Sequence, residues 1–347
     1  MRNIYYHFRG MGTSKGEIFG LPGYELGSKT QDTKQLKIRF NNKVELGPIP
    51  VADATYPKLI RAGDILPSFY FEISRDLIEK HLNDDMNVVE IFNGAGDRLT
   101  ESGIFGFPGR VLYPIPNSEN IGRVAATVGP GGFVSSGASW YVNIVDLIRR
   151  EQGKIDKGMA VLDWGVGCGR VMRYFIQDGW RNVVGIDIDQ LNIDWCNANL
   201  PHAHFERCEF DPPTRFADGA FDVIYGHSVF THLDKKSEQE WLGELSRLLK
   251  PHGFACVTFG SEFTCALNWH SVQKSNPTFL WPLARNGRQD FGADTAGVDE
   301  GRDGYYRLVA HSREYITKNW SSIFDISRII PGFANNQDAV ILRKKNK

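Results

Sequence analysis

The stretch Val161-Leu162-Asp163-Trp164-Gly165-Val166-Gly167-Cys168-Gly169-Arg170 decides the fold. Its first half, AVLDW from Ala160, is a short apolar run of the kind that forms a buried strand. Three glycines at alternate positions follow, and RVMRYFIQDG then reads as a helix. Without Cβ atoms, glycines let the backbone turn sharply and approach a ligand closely at the start of a helix. A second strand, VVGIDI, carries Asp187 at its end. A carboxylate in that position can accept hydrogen bonds from both hydroxyls of a ribose. The glycine turn and the strand-end acid together point to a nucleoside-bearing ligand at the carboxyl ends of the strands.

The same rhythm continues downstream. AHFERCEF is a third strand, FDVIYGHS a fourth and FACVTFG a fifth. Asp189 is placed to cap the helix through QLNIDWCNANL, and SEQEWLGELSRLLK is amphipathic and ends at the turn PHG. Strands and helices alternating at this spacing predict a doubly wound, mostly parallel sheet. YYRLVAHS is expected as a late strand, REYITKNWS as a helix and DAVILRKK as the closing strand. Residues 261–304 read as a long irregular insertion. Upstream, residues 113–157 form a bridge containing the Gly/Ser-rich stretch GPGGFVSSGAS (129–139), a candidate lid, followed by the helical pattern WYVNIVDLIRREQ. Residues 1–112 carry no chemical motif. QLKIRFNN (35–42) and NVVEIFN (87–93) read as strands there, and ISRDLIEKHLND (73–84) as an amphipathic helix, so this zone is expected to be a mixed α+β accessory region. The expected organisation is thus 1–112, 113–157 and 158–347.

The glycine pattern discriminates between nucleoside ligands. A dinucleotide fingerprint needs a small residue at the sixth position. Counting from Gly165 that position is Arg170, and counting from Gly167 it is Met172. No GK[ST] follows the glycines, which excludes a P-loop. Asp163 stands two residues before the first glycine, where it would repel a pyrophosphate and suit a cationic ligand such as the ammonium of a methionine moiety.

These residues carry a family resemblance. VLDWGVGCGR resembles the first motif of the class I S-adenosyl-L-methionine (SAM)-dependent methyltransferases, and VVGIDID the second. FDVIYGHSVFTHL followed by WLGELSRLLKPHG resembles their fourth-strand and later motifs. SVFTHL and QDAVILRKK look like a subgroup that modifies bacterial glycans or secondary metabolites. The resemblance implies a Rossmann-like sheet of seven strands. It implies that Gly165, Gly167, Gly169 and the adjoining backbone line SAM, and that Asp163 holds the amino group. It places Asp187 on the ribose, Ile188 against adenine, and Glu209 and Phe210 at the adenine border. It also implies acceptor-facing groups after the fourth strand and at the late strand, which makes His227, His232 and His311 the candidate bases. The expected product is S-adenosyl-L-homocysteine, and the expected acceptor is a hydroxylated small molecule or sugar.

Composition narrows the alternatives. The chain has 347 residues and a formal net charge of −1, so it lacks the broad basic field of a nucleic-acid binder. No apolar run approaches the ~18 residues of a membrane span. The opening MRNIYYHFRG lacks the pattern of a signal peptide, and the five cysteines form no CxxC pair. These features lead to the expectation of a cytoplasmic protein with reduced thiols, no metal site, and an N-terminal region able to form a homodimer interface. Ser228 lacks a G-x-S-x-G elbow, which argues against a hydrolase. The remaining rivals are a nicotinamide-dependent oxidoreductase, a non-catalytic SAM-binding scaffold, and an N- or C-methyltransferase.

Overall fold

The strand that begins the glycine motif lies inside a seven-stranded sheet. The computed structural model describes residues 5–8, 12–14, 18–26, 35–50, 52–53, 68–74, 79–92, 96, 98, 104–125, 129–267, 281–293, 304–333 and 337–345. In the N-terminal zone, β1 (Tyr5–Phe8), β2 (Gly12–Ser14), β3 (Ile18–Leu26), β6 (Ala52–Asp53) and β7 (Ser68–Ser74) form one antiparallel sheet. A second antiparallel sheet has the order β5 (Val44–Pro50), β4 (Gln35–Phe40), β8 (Met86–Phe92), β9 (Ile104–Pro108). The two expected strands are β4 and β8. Of the stretch 73–84 expected as a helix, Ser74 ends β7 and Glu79–His81 form a 3-10 turn, while residues 75–78 lie outside the described residues.

The main sheet comprises β10 (Ala160–Trp164), β11 (Asn182–Asp187), β12 (His204–Arg207), β13 (Phe221–Gly226), β14 (Leu249–Phe259), β17 (Phe324–Ile330) and β18 (Asp338–Lys344). Its order is β12-β11-β10-β13-β14-β18-β17. The first four pairings are parallel and the last two antiparallel. Strand order reverses between β10 and β13, which opens a crevice at their carboxyl ends. Alternate residues of each strand feed two cores. Val161, Val183, Val223 and Ile341 pack under α2 (Pro130–Gln152) and α3 (Met172–Gln177). Leu162, Ile224, Val257 and Val340 pack under α5 (Lys235–Leu248) and α8 (Arg313–Trp320). The remaining helices are α1 (Ser118–Ala125), α4 (Gln190–Asn199), α6 (Glu262–Leu267) and α7 (Trp281–Asn286).

Three expectations change here. The Gly/Ser-rich stretch 129–139 is no lid, because α2 begins at Pro130 with Gly129 as its N-cap and ends at a left-handed Gly153. Its small residues serve close packing. A Cβ on Gly137 would lie 2.1 Å from the carbonyl oxygen of Arg170, and one on Gly106 would lie 2.6 Å from that of Ala138. The helix is thereby wedged between the glycine loop and β9. YYRLVAH does not join the main sheet either. Its strand, β16 (Arg307–His311), pairs with β15 (Arg288–Ala293) as a separate antiparallel hairpin. The sheet's edge is instead β17, FDISRII, whose half-exposed pattern carries little hydrophobic signal. Finally, the 261–304 insertion contains α6, α7 and β15 rather than irregular chain alone.

Candidate active site

Gly165, Gly167 and Gly169 all have left-handed φ, at 79°, 52° and 71°, where side-chain-bearing residues are strained. Gly165 N and Val166 N donate to the carbonyl of Ile186 at 2.9 and 3.0 Å, which ties the turn to β11. Asp187 locks the two loops together. Its Oδ2 accepts the Gly167 N–H at 2.7 Å and its Oδ1 accepts the Asp189 N–H at 3.0 Å. Asp189 in turn caps α4, accepting from Leu191 N and Asn192 N.

A cavity of about 240 Å³ opens at these loops, where the strand order reverses. Asp163, Gly165, Gly167, Asp187, Ile188, His227 and His232 are among the residues that line it. Asp163 is buried beneath the loop and its Oδ2 accepts the Tyr225 hydroxyl at 2.8 Å. Burial pushes its carboxyl up to about 8, against the pull of Tyr225 and Arg170 and with help from Asp187. Burial also raises Asp187 to about 6, although the N–H groups of Asp189 and Gly167 oppose the shift.

The histidines differ in situation. His227 stacks on Trp140 of α2, with ring centroids 4.3 Å apart, and its Nδ1 accepts a hydrogen bond from Arg170. Burial, reinforced by the Arg170 charge, holds its basicity well below that of an ordinary imidazole. His232 stacks on Tyr306 at 4.1 Å, and its Nδ1 lies 2.8 Å from the Arg307 carbonyl. A carbonyl only accepts, so Nδ1 carries the proton and Nε2 the lone pair. His311 does not reach the cavity. It is fully buried at the end of β16, with Nε2 2.8 Å from Glu238 Oε2.

Three further expected residues lie away from the cavity wall. A Cβ on Gly169 would collide with Leu200 Cδ1 at 2.3 Å, so that glycine serves the packing of α4. Glu209 is exposed. Phe210 packs edge-on against Tyr305, and its carbonyl accepts from Trp241 Nε1 and the Tyr305 hydroxyl. The wall after the third strand is Cys208 instead, and Tyr305 and Tyr306 also line the cavity.

Sequence reading missed the cover of the cleft. Arg123 and Val124 of α1 lie over the glycine loop. Arg123 pairs with Asp189 at 2.6 Å, and Val124 Cγ2 would meet a Cβ on Gly167 at 2.5 Å. Nothing in SENIGRVA announces this except an arginine on a short helix. The left-handed residue within the turn carrying the histidines was also unread. Ser228 sits at φ 65°, held by its N–H to Thr258 Oγ1 at 2.8 Å and by Gln337 Nε2 to its hydroxyl at 2.8 Å. Such a conformation persists only where surrounding bonds over-determine it.

Fold and cleft together define a nucleoside-binding domain of the Rossmann-like class. Residues 161–253 match the family model of the methyltransferase domain, and this part of the chain is a class I, SAM-dependent methyltransferase domain. The chain is 31% identical over 117 residues to 24-methylenesterol C-methyltransferase 2 of Oryza sativa subsp. japonica. That match spans 32% of this chain and only 30% of the rice protein. Among solved structures it is similar to a SAM-dependent methyltransferase from Methanosarcina mazei, at 19% identity and a TM-score of 0.42 over 56% of this chain and 97% of that one. It is also similar to 1,6-didemethyltoxoflavin-N1-methyltransferase of Burkholderia thailandensis, at 15% identity and a TM-score of 0.39 over 60% and 79%. No helix among the described residues is long and apolar enough to cross a membrane.

Proposed function

We propose that the protein transfers the methyl group of SAM to a hydroxyl oxygen of a small molecule or sugar. The observation that carries this reading is one cavity lined by Asp163, Asp187 and His232 together. SAM, when bound, supplies a methyl group already activated on a sulfonium. The residues present suit it. Gly165 and Gly167, both at left-handed φ, bring bare backbone to the cavity wall, and the two acids offer a cation the environment it prefers. In this reading Asp187 accepts the ribose hydroxyls, Ile188 faces adenine and Asp163 faces the amino group.

His232 takes the role of general base, because its Nε2 lone pair belongs to a ring oriented by the Arg307 carbonyl and by Tyr306. A base in reach of an acceptor hydroxyl contributes typically ~10²–10⁴-fold. His227, with Nδ1 accepting from Arg170, is held as a neutral Nε2–H donor and is better suited to orient the acceptor than to deprotonate it. Incubation with methyl-labelled SAM and a panel of glycans and hydroxylated metabolites tests the reading. Label on oxygen supports it. Label on carbon, the chemistry named for the rice relative, or on nitrogen rejects the O-methyl assignment.

The two acids also set a pH dependence. A cationic ligand favours ionised carboxylates, so SAM binding tightens as pH rises from about 6 to about 8, as Asp187 and then Asp163 ionise. The ligand-free fold responds in the opposite sense. Both folded values lie above the ordinary 3.8, so the stability these two acids contribute is fullest below about 4 and is lost as pH rises through about 6 and about 8. Calorimetric titration with SAM and thermal melts without it, across this range, should show the two trends diverging.

A further inference from the structure

Two stretches far apart in the chain, SVFTHL and QDAVILRKK, meet beside the cavity. Gln337, the residue before β18, donates its Nε2–H to the Ser228 hydroxyl at 2.8 Å. The bonds around this contact leave one arrangement of protons. Thr231 Oγ1 donates to the Ser228 carbonyl at 2.6 Å, so the 2.9 Å contact between the two hydroxyls takes its proton from Ser228. The Ser228 N–H goes to Thr258 Oγ1 at 2.8 Å, and that hydroxyl donates to Gln337 Oε1 at 2.6 Å. Each hydroxyl proton is used once, and the Gln337 carboxamide supplies both the donor and the acceptor that close the circuit. Thr231, Thr258 and Gln337 are buried, so a lost bond leaves a desolvated group unpaired.

The circuit closes on Ser228, a non-glycine residue at φ 65° that lines the cavity. The turn it opens ends at His232. β16 holds that turn from the other side, where Val309 N donates to the Thr231 carbonyl at 2.8 Å and Arg307 N to that of His232 at 3.2 Å. The Arg307 carbonyl then accepts from His232 Nδ1 at 2.8 Å. β16 thus supplies the partner of the imidazole, while Gln337 fixes the backbone from which the imidazole reaches it. Gln337 itself does not line the cavity. We infer that Gln337 is a positioning residue for the proposed base: through the Ser228 hydroxyl it sets the 228–232 turn, and with it the orientation and tautomer of His232.

The inference rests on the reading of His232 as the base of a SAM site, and its test needs no acceptor. Isotope-labelled histidine reports, by proton–nitrogen correlation at a pH where the ring is neutral, which ring nitrogen carries the proton. The His232 signals are those missing from His232→Ala. Wild type, Gln337→Met, Ser228→Gly and the double variant are compared, and each is titrated calorimetrically with S-adenosylhomocysteine. Methionine matches glutamine in length, and glycine accepts the left-handed φ without strain while removing the hydroxyl. Loss of the link predicts that the ratio of Nδ1–H to Nε2–H forms of His232 falls about fivefold in either single variant. The double variant should fall no further, because both changes break one link. S-adenosylhomocysteine affinity should stay within about threefold of wild type throughout. A His232 signal in Gln337→Met identical to wild type, even with a lower Tm, overturns the inference by leaving Gln337 a purely structural role. A double variant that falls further than either single one also overturns it, since Gln337 then acts by a route other than Ser228. If Gln337→Met does not fold, an unchanged His232 in Ser228→Gly overturns the inference and the expected fall upholds it. Loss of S-adenosylhomocysteine binding in folded variants assigns the circuit to the donor and overturns it as well. A wild type that binds no S-adenosylhomocysteine, or that holds His232 as the Nε2–H form, sinks the reading of the site and takes the inference with it.

Discussion

Asp187→Ala abolishes most of the affinity for S-adenosylhomocysteine, weakening it about 100-fold or more. In the proposed site Asp187 makes two charge-assisted hydrogen bonds to ribose, each worth about 1.5–3 kcal/mol, so that losing both exceeds a factor of ten per bond. A second effect adds to the first. The same carboxylate accepts the N–H groups of Gly167 and Asp189, so its removal also loosens the glycine turn and the start of α4. Asp187→Asn keeps the shape and one acceptor oxygen, and should lose less. Calorimetry with both variants checks this, with circular dichroism to confirm that each is folded. An alanine variant that binds within about threefold of wild type would remove Asp187 from the cofactor site.

Glu238→Ala produces the largest loss of stability. Glu238 is fully buried on α5 and accepts from His311 Nε2 at 2.8 Å, Trp320 Nε1 at 2.8 Å and Arg288 Nε at 3.0 Å. Burial alone would raise its carboxyl, but His311, Trp320 and Arg288 outweigh burial and bring it down to about 2. Removing one member of a buried charged cluster costs about 3–5 kcal/mol, because the partners are left desolvated and unpaired. A fall of roughly 10 °C in Tm follows at about 2–4 °C per kcal/mol. The sign of the pH effect is also fixed. Because the folded value lies below the ordinary 4.5, this stability is present above that pH and is lost as pH falls toward about 2. Since the cluster does not line the cavity, the folded fraction of Glu238→Ala should keep its S-adenosylhomocysteine affinity. Loss of binding at temperatures where the variant is folded would show that the cluster reaches the site.

His311 illustrates how far the sequence could be read. Its type and its position at a strand end suggested a base, and both are real features of the chain. What no local pattern disclosed is that His311, Arg288 and Trp320, from three elements, converge on the Glu238 carboxylate. The parallel half of the sheet was legible because buried parallel strands are near-continuous apolar runs separated by glycine and cap residues. The glycine turn and Asp187 were legible because backbone conformation and strand-end position are local properties. FDISRII was missed because an edge strand has one exposed face and so weak a pattern. GPGGFVSSGAS was misread because small residues that permit close helix packing have the same composition as small residues that permit motion. Only the neighbours of Gly137 and Ala138 tell the two apart.

The pairing of Arg123 with Asp189 ties the two ends of the cleft's history together. α1 belongs to the segment ahead of the sheet, yet Val124 rests directly on the glycine loop. In the proposed site the loop is therefore covered by a helix that contributes nothing to the sheet, and substitutions on α1 are expected to change the pace of repeated turnover without altering a single group that grips the nucleoside.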